Sequence, residues 1–249
     1  MIYCQTILQW LVRRGLVDGP PVTDDDLRAS ITVYNENSRA IRELYAYRAA
    51  KPWQAPTSEV YLVLRAGMVL PPEEHTRLVR EYLAAADAEP RARRDNARIV
   101  LTGAFCEQPP LNLIKSIEMA GCYIVDDDFM LCFRWLLGDV PLEGDPLVNL
   151  SSAFLHRSAS TASKYDANKE DKGKPLVQSV KRYGAEGVIF AAPSFCDPAL
   201  LERPMLQEVL AKYKIPYTAF KYAENTGQMA PIREQAGTFA DSIKLWSAA

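Results

Sequence analysis

The sequence lacks the short motifs that define several large enzyme classes. It contains no GxGxxG, no GxxxxGK[ST] and no GxSxG, so the dinucleotide-binding, Walker-type ATP-binding and α/β-hydrolase classes are without their defining residues. Histidine occurs only at His75 and His156, on separate predicted helices, which disfavours a paired catalytic role. The formal net charge is −2, and without an excess of positive charge we expect no nucleic-acid partner and no membrane-surface partner.

Long apolar runs and paired cysteines are also missing. No stretch approaches the roughly 20 residues that a membrane span needs. The arginines near the N-terminus follow its short apolar section, the reverse of a secretory signal, so we expect a cytoplasmic protein. We expect its cysteines to be reduced, because they form no CxxC pair, no zinc-ribbon spacing and no disulfide framework. A metal would therefore need ligands from separate loops or from another chain. The five cysteines are Cys4, Cys106, Cys122, Cys132 and Cys196.

The patterns that are present divide the chain into two parts. Residues 1–95 form a predicted helical segment, in which Thr23 and the three following aspartates mark a helix start. Residues 96–249 alternate short apolar runs with helical patterns, and 48% hydrophobic residues are enough for a core. This alternation predicts an α/β domain with a parallel four-stranded sheet, right-handed crossovers and helices on both faces. The predicted strands are Arg98–Thr102, Cys122–Val125, Val188–Ala192 and Tyr217–Lys221.

Helical patterns fill most of the remaining chain. In the first part, helices are predicted from Thr57 and after Pro72. In the second part, a helix is predicted after each strand, and helical material is predicted from Phe129 to Tyr165 with breaks between Gly138 and Pro146.

The stretch Gly187–Pro204 places a thiol directly after a buried strand. Cys196 lies between Pro193 and Pro198, which stiffen its loop. In open α/β sheets, ligands bind beyond the carboxyl ends of the strands. A stiff cysteine there suits a soft metal or an iron–sulfur cluster, whereas most free cysteines are small buried hydrophobes. The residues alone leave both readings open.

The other strands are followed by polar loops that should reach the same edge of the sheet. Cys106 is a weaker candidate ligand by the same reasoning. The run Asp126–Asp128 is predicted to follow the second strand and either binds a metal or, more commonly, caps the next helix. Core packing is expected for Cys122 and Cys132. Further polar residues in these loops are Glu107, Glu224, Asn225 and Gln228.

Several long segments together resemble a known family. They are TDDDLRASITVYNENSRAIRELYAYRAAKPW, RAGMVLPPEEH, LTGAFCEQPPLNLIKSIEMAGCYIVDDDF, GVIFAAPSFCDPALLERPMLQEVL and YAENTGQMAPIREQAGTFADSI. Over about Val22–Trp246 the chain resembles the benzoyl-CoA reductase and 2-hydroxyacyl-CoA dehydratase family. The resemblance implies two stacked flavodoxin-like, Rossmann-like α/β domains, a [4Fe-4S] cluster near an acyl-CoA site, and pairing with a paralogous cluster-bearing subunit. It also implies activator subunits that hydrolyse ATP and a ferredoxin as electron source.

The segments are more similar to the ATP-dependent reductases than to the dehydratases. Reductases of this family dearomatise benzoyl-CoA to a cyclohexadiene-carbonyl-CoA in anaerobic aromatic degradation, whereas the dehydratases are radical lyases that expel a hydroxyl group. The resemblance makes Cys196, in SFCDP, a cluster ligand. It leaves Cys106 as a second candidate, which alternatively lines the site without binding iron. The implied substrate rim comprises Glu107, Asp126, Asp127, Glu224, Asn225 and Gln228.

One part of the family pattern is missing from this sequence. The resemblance implies that residues 1–95 are a remnant of, and linker from, an N-terminal α/β domain that carries the other cysteine ligands. We therefore expect this chain to hold an incomplete ligand set and to be inactive alone. Two alternatives to a reductase subunit stay open: a subunit of a 2-hydroxyacyl-CoA dehydratase, and a cluster-free scaffold fragment.

Overall fold

Within the part of the chain that the structure describes, three helices precede the sheet, as the helical patterns predicted. The structure, a computed structural model, describes residues 22–103, 108–129, 131–159, 173–223 and 229–247. Helix α1 (Asp24–Ala50) starts with a capping box, in which the Thr23 hydroxyl accepts from the Asp26 backbone N–H and the Asp26 carboxylate accepts from the Thr23 backbone N–H. The next two helices follow Pro56 and Pro71. The three are α1 (Asp24–Ala50), α2 (Thr57–Ala66) and α3 (Pro72–Ala88).

The four predicted strands form one parallel sheet in the order β2-β1-β3-β4, which confirms the predicted fold class. They are β1 (Ala97–Thr102), β2 (Cys122–Asp127), β3 (Gly187–Pro193) and β4 (Tyr217–Tyr222). Helix α4 (Leu111–Met119) joins β1 to β2, α6 (Lys174–Tyr183) precedes β3, α7 (Asp197–Lys212) joins β3 to β4, and α8 (Met229–Ser247) follows β4. The predicted end of β2 at Val125 is wrong, because the strand continues through Asp127.

Helices cover both faces of the sheet. Alternate residues of β3 show this directly, since Ile189 faces a large core with α1–α4 and α8, whereas Phe190 faces a smaller core with α6 and α7. Every residue of β3 is buried, as expected for a central parallel strand. The helices before the sheet thus share a core with it, and the domain boundary near residue 95 stays a prediction. Within the described ranges, no helix has the length and apolar character that a membrane span requires.

The chain after β2 is less helical than predicted. A 3-10 turn (Leu131–Arg134) is followed by irregular chain up to helix α5 (Pro146–His156). The irregular part is held by α1, because the Asn35 amide donates to and accepts from the Val140 backbone, both at 2.9 Å. Cys122 packs in the core as predicted. The same prediction for Cys132 is wrong, since that residue lies exposed on the 3-10 turn.

The burial of His75 should make the stability of the fold depend on pH. His75 is 1% exposed, with its ring nitrogens 3.1 Å from the Asn37 amide and 3.1 Å from the Val63 carbonyl oxygen. Burial lowers the pKa of His75 below 6.5, although the Val63 hydrogen bond opposes this. Below pH 6.5 the unfolded chain therefore takes up the proton first. We expect the free energy of unfolding to fall as the pH falls below 6.5, by up to about 1.4 kcal/mol per pH unit.

Urea unfolding at several pH values measures this dependence. His75→Gln should flatten it, and the control His156→Gln, at an exposed position, should leave it unchanged. Equal slopes in the wild type and in His75→Gln would show that another group is responsible.

Candidate functional site

The strand order creates a crevice at the carboxyl edge of the sheet. After β1 the chain turns towards β2, and after β3 it turns towards β4 on the other side. Adjacent parallel strands whose connections diverge in this way form a topological switch point, the usual ligand site of doubly wound folds. The loop after β3, residues 194–196, and Gly103 at the end of β1 lie at this point. The structure therefore places Cys196 where ligands bind in this fold class.

Cys196 is fixed by a tight turn before helix α7. Its backbone N–H donates to the Pro193 carbonyl at 3.0 Å, and its own carbonyl accepts from the Leu200 N–H at 3.0 Å. The residue is 2% exposed and packs among Ala192 and Ala199. It occupies the N-cap position of α7, so the thiol lies at the positive end of the helix dipole, where a bound anionic group is stabilised.

The chemistry of this position fits one ligand of an iron–sulfur cluster. A cysteine sulfur is the required donor, and the surrounding apolar side chains keep water away. The surface nearby is open and apolar, since Phe195 is 93% exposed and Leu201 is 75% exposed. In the described part of the chain, no three His, Cys, Asp or Glu side chains come close enough to hold a metal ion. Cys196 would therefore need further ligands from outside the described residues.

The aspartates at the end of β2 form ion pairs and hydrogen bonds with other parts of the fold and do not cap the next helix. Asp127 is 4% exposed, and its carboxylate bonds Arg48 at 2.5 Å and the Tyr45 hydroxyl at 3.1 Å. Helix capping, one of the two roles predicted for the run Asp126–Asp128, is wrong for Asp126 and Asp127, because both lie within the strand and their carboxylates bond side chains of α1 and Arg134. Asp128 accepts from the Thr102 hydroxyl at 2.8 Å and from the backbone N–H of residue 103 at 2.9 Å. It thereby ties the ends of β1 and β2 together.

Two arginines neutralise the buried acids. Burial would raise the pKa of Asp127, but the positive charges of Arg48 and Arg134 hold it below its ordinary value. The Arg134 guanidinium bonds the Asp126 carboxylate at 2.8 Å and the Asp127 carbonyl, and lies 3.8 Å from the centre of the Tyr45 ring. Burial raises the pKa of Tyr45, which stays a neutral hydroxyl. The result is a charge-balanced cluster inside the fold.

The cluster connects three layers of the molecule. Arg48 and Tyr45 come from α1, and the second Asp126 oxygen accepts from the Ser179 hydroxyl of α6 at 2.5 Å. Sequence reasoning missed Tyr45, Arg48 and Arg134 as members of the site. One signal was available: the buried apolar spacing of α1 at Ile41, Leu44 and Tyr45 continues to Arg48, and a charged residue in such a row needs a buried partner.

Comparison with known proteins identifies the family of this chain. The family model described as "2-hydroxyglutaryl-CoA dehydratase, D-component" matches residues 17–243. The chain belongs to this family. It is 61% identical over 238 residues to a subunit of the benzoyl-CoA reductase of Thauera aromatica, a match that covers 95% of the chain. It is 25% identical to the beta subunit of lactoyl-CoA dehydratase from Anaerotignum propionicum and 26% identical to that of (R)-2-hydroxyglutaryl-CoA dehydratase from Acidaminococcus fermentans, each over 90% of the chain.

The chain spans only part of these relatives. It covers 62% of the Thauera protein and 59% of each of the two dehydratase subunits. Each of the three is named as a subunit of an enzyme of CoA thioesters.

The described residues include only part of the predicted site. Cys106, Glu107, Glu224, Asn225 and Gln228 lie outside them, so their predicted roles stay predictions. The structure brings Asp126 and Asp127 together with the arginines but not with Cys196. Strand β1 lies between β2 and β3, which separates them by two strand spacings, about 10 Å.

Gly103, at the switch point, has a backbone conformation and a close neighbour that other residues would tolerate poorly. Its φ is +109°, and an added Cβ would lie 3.0 Å from the Ala191 carbonyl oxygen. We expect Gly103→Ala to lower the free energy of unfolding by about 1–3 kcal/mol from backbone strain, with a further loss from the clash. Gly138→Ala is the matched control, since its φ is +103° with no atom within 4 Å of the added Cβ. Chemical denaturation compares the two variants, and equal losses would contradict a close approach of β1 and β3 at this point.

Proposed function

We propose that this chain is part of a subunit of an ATP-dependent benzoyl-CoA reductase. The observation that carries the proposal is the 61% identity to the Thauera benzoyl-CoA reductase subunit over 95% of the chain. The proposed enzyme is a cytoplasmic oxidoreductase of anaerobic aromatic degradation, and its partner is a paralogous cluster-bearing subunit. The subunit names of the relatives support a heteromeric assembly.

The proposed reaction is a two-electron reduction of an aromatic ring. Benzoyl-CoA takes up two electrons and two protons and becomes a cyclohexadiene-carbonyl-CoA. The electrons come from reduced ferredoxin, which is oxidised, and activator subunits deliver them one at a time while hydrolysing ATP. The thioester stays intact, so no group leaves the substrate.

Cys196 is the proposed contribution of this chain to the electron path. Its thiolate would be one ligand of a [4Fe-4S] cluster, which supplies low-potential one-electron transfer when bound. The turn at Pro193 and the start of α7 fix the position of the sulfur, and the apolar packing excludes water. Cys106 is the second candidate ligand. The proposed substrate rim comprises Glu107, Asp126, Asp127, Glu224, Asn225 and Gln228.

The contacts of Asp126 and Asp127 support a positioning role, in which they hold neighbouring residues in place rather than contact the substrate directly. Both carboxylates are engaged by arginine, serine or tyrosine groups. They would keep the end of β2 in place next to the substrate rim. The cluster fixes this end of β2, and Asp128 ties it to β1.

An anoxic activity assay separates the candidate functions. The full-length subunit is produced with its partner and activator subunits, and the complex is incubated with ATP, a strong reductant and either benzoyl-CoA or (R)-2-hydroxyglutaryl-CoA. Mass spectrometry of the thioesters should show the diene, two mass units above benzoyl-CoA, and no loss of water from the hydroxyacyl substrate. Water loss without a diene would instead establish a dehydratase, the activity that the family description names. No product, with iron at background, would establish a cluster-free scaffold.

A further inference from the structure

A cavity lies at the edge of the sheet opposite to Cys196. It is formed where β1 and β2 begin, whereas Cys196 follows the end of β3. Its lining includes Trp53, Tyr123, Arg93, Arg94, Asp95 and Arg98. None of these residues contributes to the site described above, and the lining combines three arginines with two aromatic rings.

The cavity lining carries a net positive charge, since its three arginines (Arg93, Arg94 and Arg98) outnumber its one carboxylate, Asp95. Arg91 in the same segment is neutralised by Glu59 at 2.8 Å, but Arg93 and Arg94 form no ion pair with any described residue. Arg98 donates to the carbonyl oxygens of Ala49 and Tyr183, both at 2.7 Å, and so binds no carboxylate through these groups. Burial lowers the pKa of Arg98; the charge of Glu186 opposes this, and the weaker effect of Arg93 adds to it. An anion in the cavity would instead be attracted by Arg93 and Arg94, the two guanidinium groups without an ion-pair partner among the described residues.

The aromatic part of the cavity offers a flat surface and a hydrogen-bond donor. The rings of Trp53 and Tyr123 have centroids 6.4 Å apart, and the Arg93 guanidinium lies 5.1 Å from the Trp53 ring centre. The Tyr123 hydroxyl accepts from the Arg94 backbone N–H at 2.7 Å. Its own proton has no acceptor among the described residues and is available to a ligand.

The segment that carries the arginines is held in place before any ligand binds. The buried Gln54 amide donates to the Ala86 carbonyl at 2.6 Å and to the Glu89 carbonyl at 3.2 Å. Its oxygen accepts from the Arg91 backbone N–H at 2.5 Å. With the Arg94 bond to Tyr123, this anchors the backbone on both sides of Arg93. Pre-ordered donors bind an anion at a lower entropy cost.

We propose that this cavity binds a nucleotide phosphate. Guanidinium groups match phosphate oxygens in charge and geometry, and an aromatic ring provides the surface on which a flat base stacks. The phosphates would contact Arg93, Arg94 and the Tyr123 hydroxyl, and the base would contact Trp53. Because the cavity and Cys196 lie at opposite edges of the sheet, the inference does not depend on the proposed reductase activity.

Isothermal titration of the chain with ADP, pyrophosphate and adenosine tests each part. We expect ADP to bind more tightly than either fragment. Arg93→Glu combined with Arg94→Glu should weaken ADP binding by about tenfold or more. A control with the same change in charge, Arg77→Glu combined with Lys115→Glu at exposed positions, should leave it within about twofold. Trp53→Leu should weaken ADP binding but not pyrophosphate binding.

Three results would overturn the proposal. They are an absence of ADP binding, equal affinity for ADP and pyrophosphate, and equal weakening by the cavity and control variants. Cys196→Ser should leave ADP binding unchanged, so this test and the test of the reductase fail independently. Both arginines are exposed, so their replacement should not unfold the chain, and circular dichroism checks this.

Discussion

Replacing Asp127 by alanine is expected to lower the free energy of unfolding by about 3–5 kcal/mol. The Arg48 side chain is fully buried, and Asp127 is its partner at 2.5 Å. Removing the carboxylate leaves a buried positive charge and takes the acceptor from the Tyr45 hydroxyl. Urea unfolding at pH 7, followed by circular dichroism, measures the loss.

A matched ion pair at the surface provides the control. Asp87 bonds Lys51 at 2.9 Å, but both side chains are largely exposed, and such pairs contribute little because water and salt screen them. Asp87→Ala should therefore leave the free energy of unfolding nearly unchanged. Adding Arg48→Met to Asp127→Ala should recover part of the loss, because the orphaned charge is removed. If Asp127→Ala cost no more than Asp87→Ala, the buried cluster would not stabilise the fold.

Cys196→Ser in the full-length subunit is expected to lower diene formation by the complete complex at least about 100-fold. Serine keeps the size of the side chain and the backbone hydrogen bonds of the turn, but its hydroxyl is a poor replacement for a thiolate ligand to iron. The fold should therefore survive while electron transfer to the substrate is lost. The rate of diene formation from benzoyl-CoA under anoxia measures the effect.

Cys132→Ser is the matched control for this prediction. It makes the same chemical change at an exposed cysteine of the 3-10 turn, and we expect it to retain activity. Both variants should unfold at the same temperature as the wild type to within a few degrees. Full activity of Cys196→Ser would remove Cys196 from the electron path, and equal loss in both variants would indicate a general sensitivity to cysteine replacement.

The fold was predictable because its central strands are continuous apolar runs. Val188–Ala192 is flanked by turn residues, and a fully buried parallel strand has this pattern. The end of β2 was not predictable in the same way. Asp126 and Asp127 are charged, and their pattern is typical of a loop. They continue the strand because Arg48, 79 residues away, and Arg134 neutralise them.

The residues of the candidate site likewise fall into those that could be predicted from the sequence and those that could not. The loop of Cys196 could be found from the sequence, since a cysteine between two prolines follows a buried strand. The Arg48–Asp127 pair could not, because sequence spacing does not reveal a contact between α1 and β2. Cys132 was predicted to be buried because its neighbours have a helical pattern, but a single 3-10 turn leaves it at the surface.

Iron and acid-labile sulfide in the anoxically purified complex test the central claim most directly. The measurement compares the wild type, Cys196→Ser and Cys132→Ser, each in the full-length subunit. If Cys196 is a [4Fe-4S] ligand, the Cys196→Ser complex should hold about four fewer iron atoms than the wild type, and the Cys132→Ser complex should match the wild type. Unchanged iron and sulfide in Cys196→Ser would contradict the assignment of a cluster to this loop.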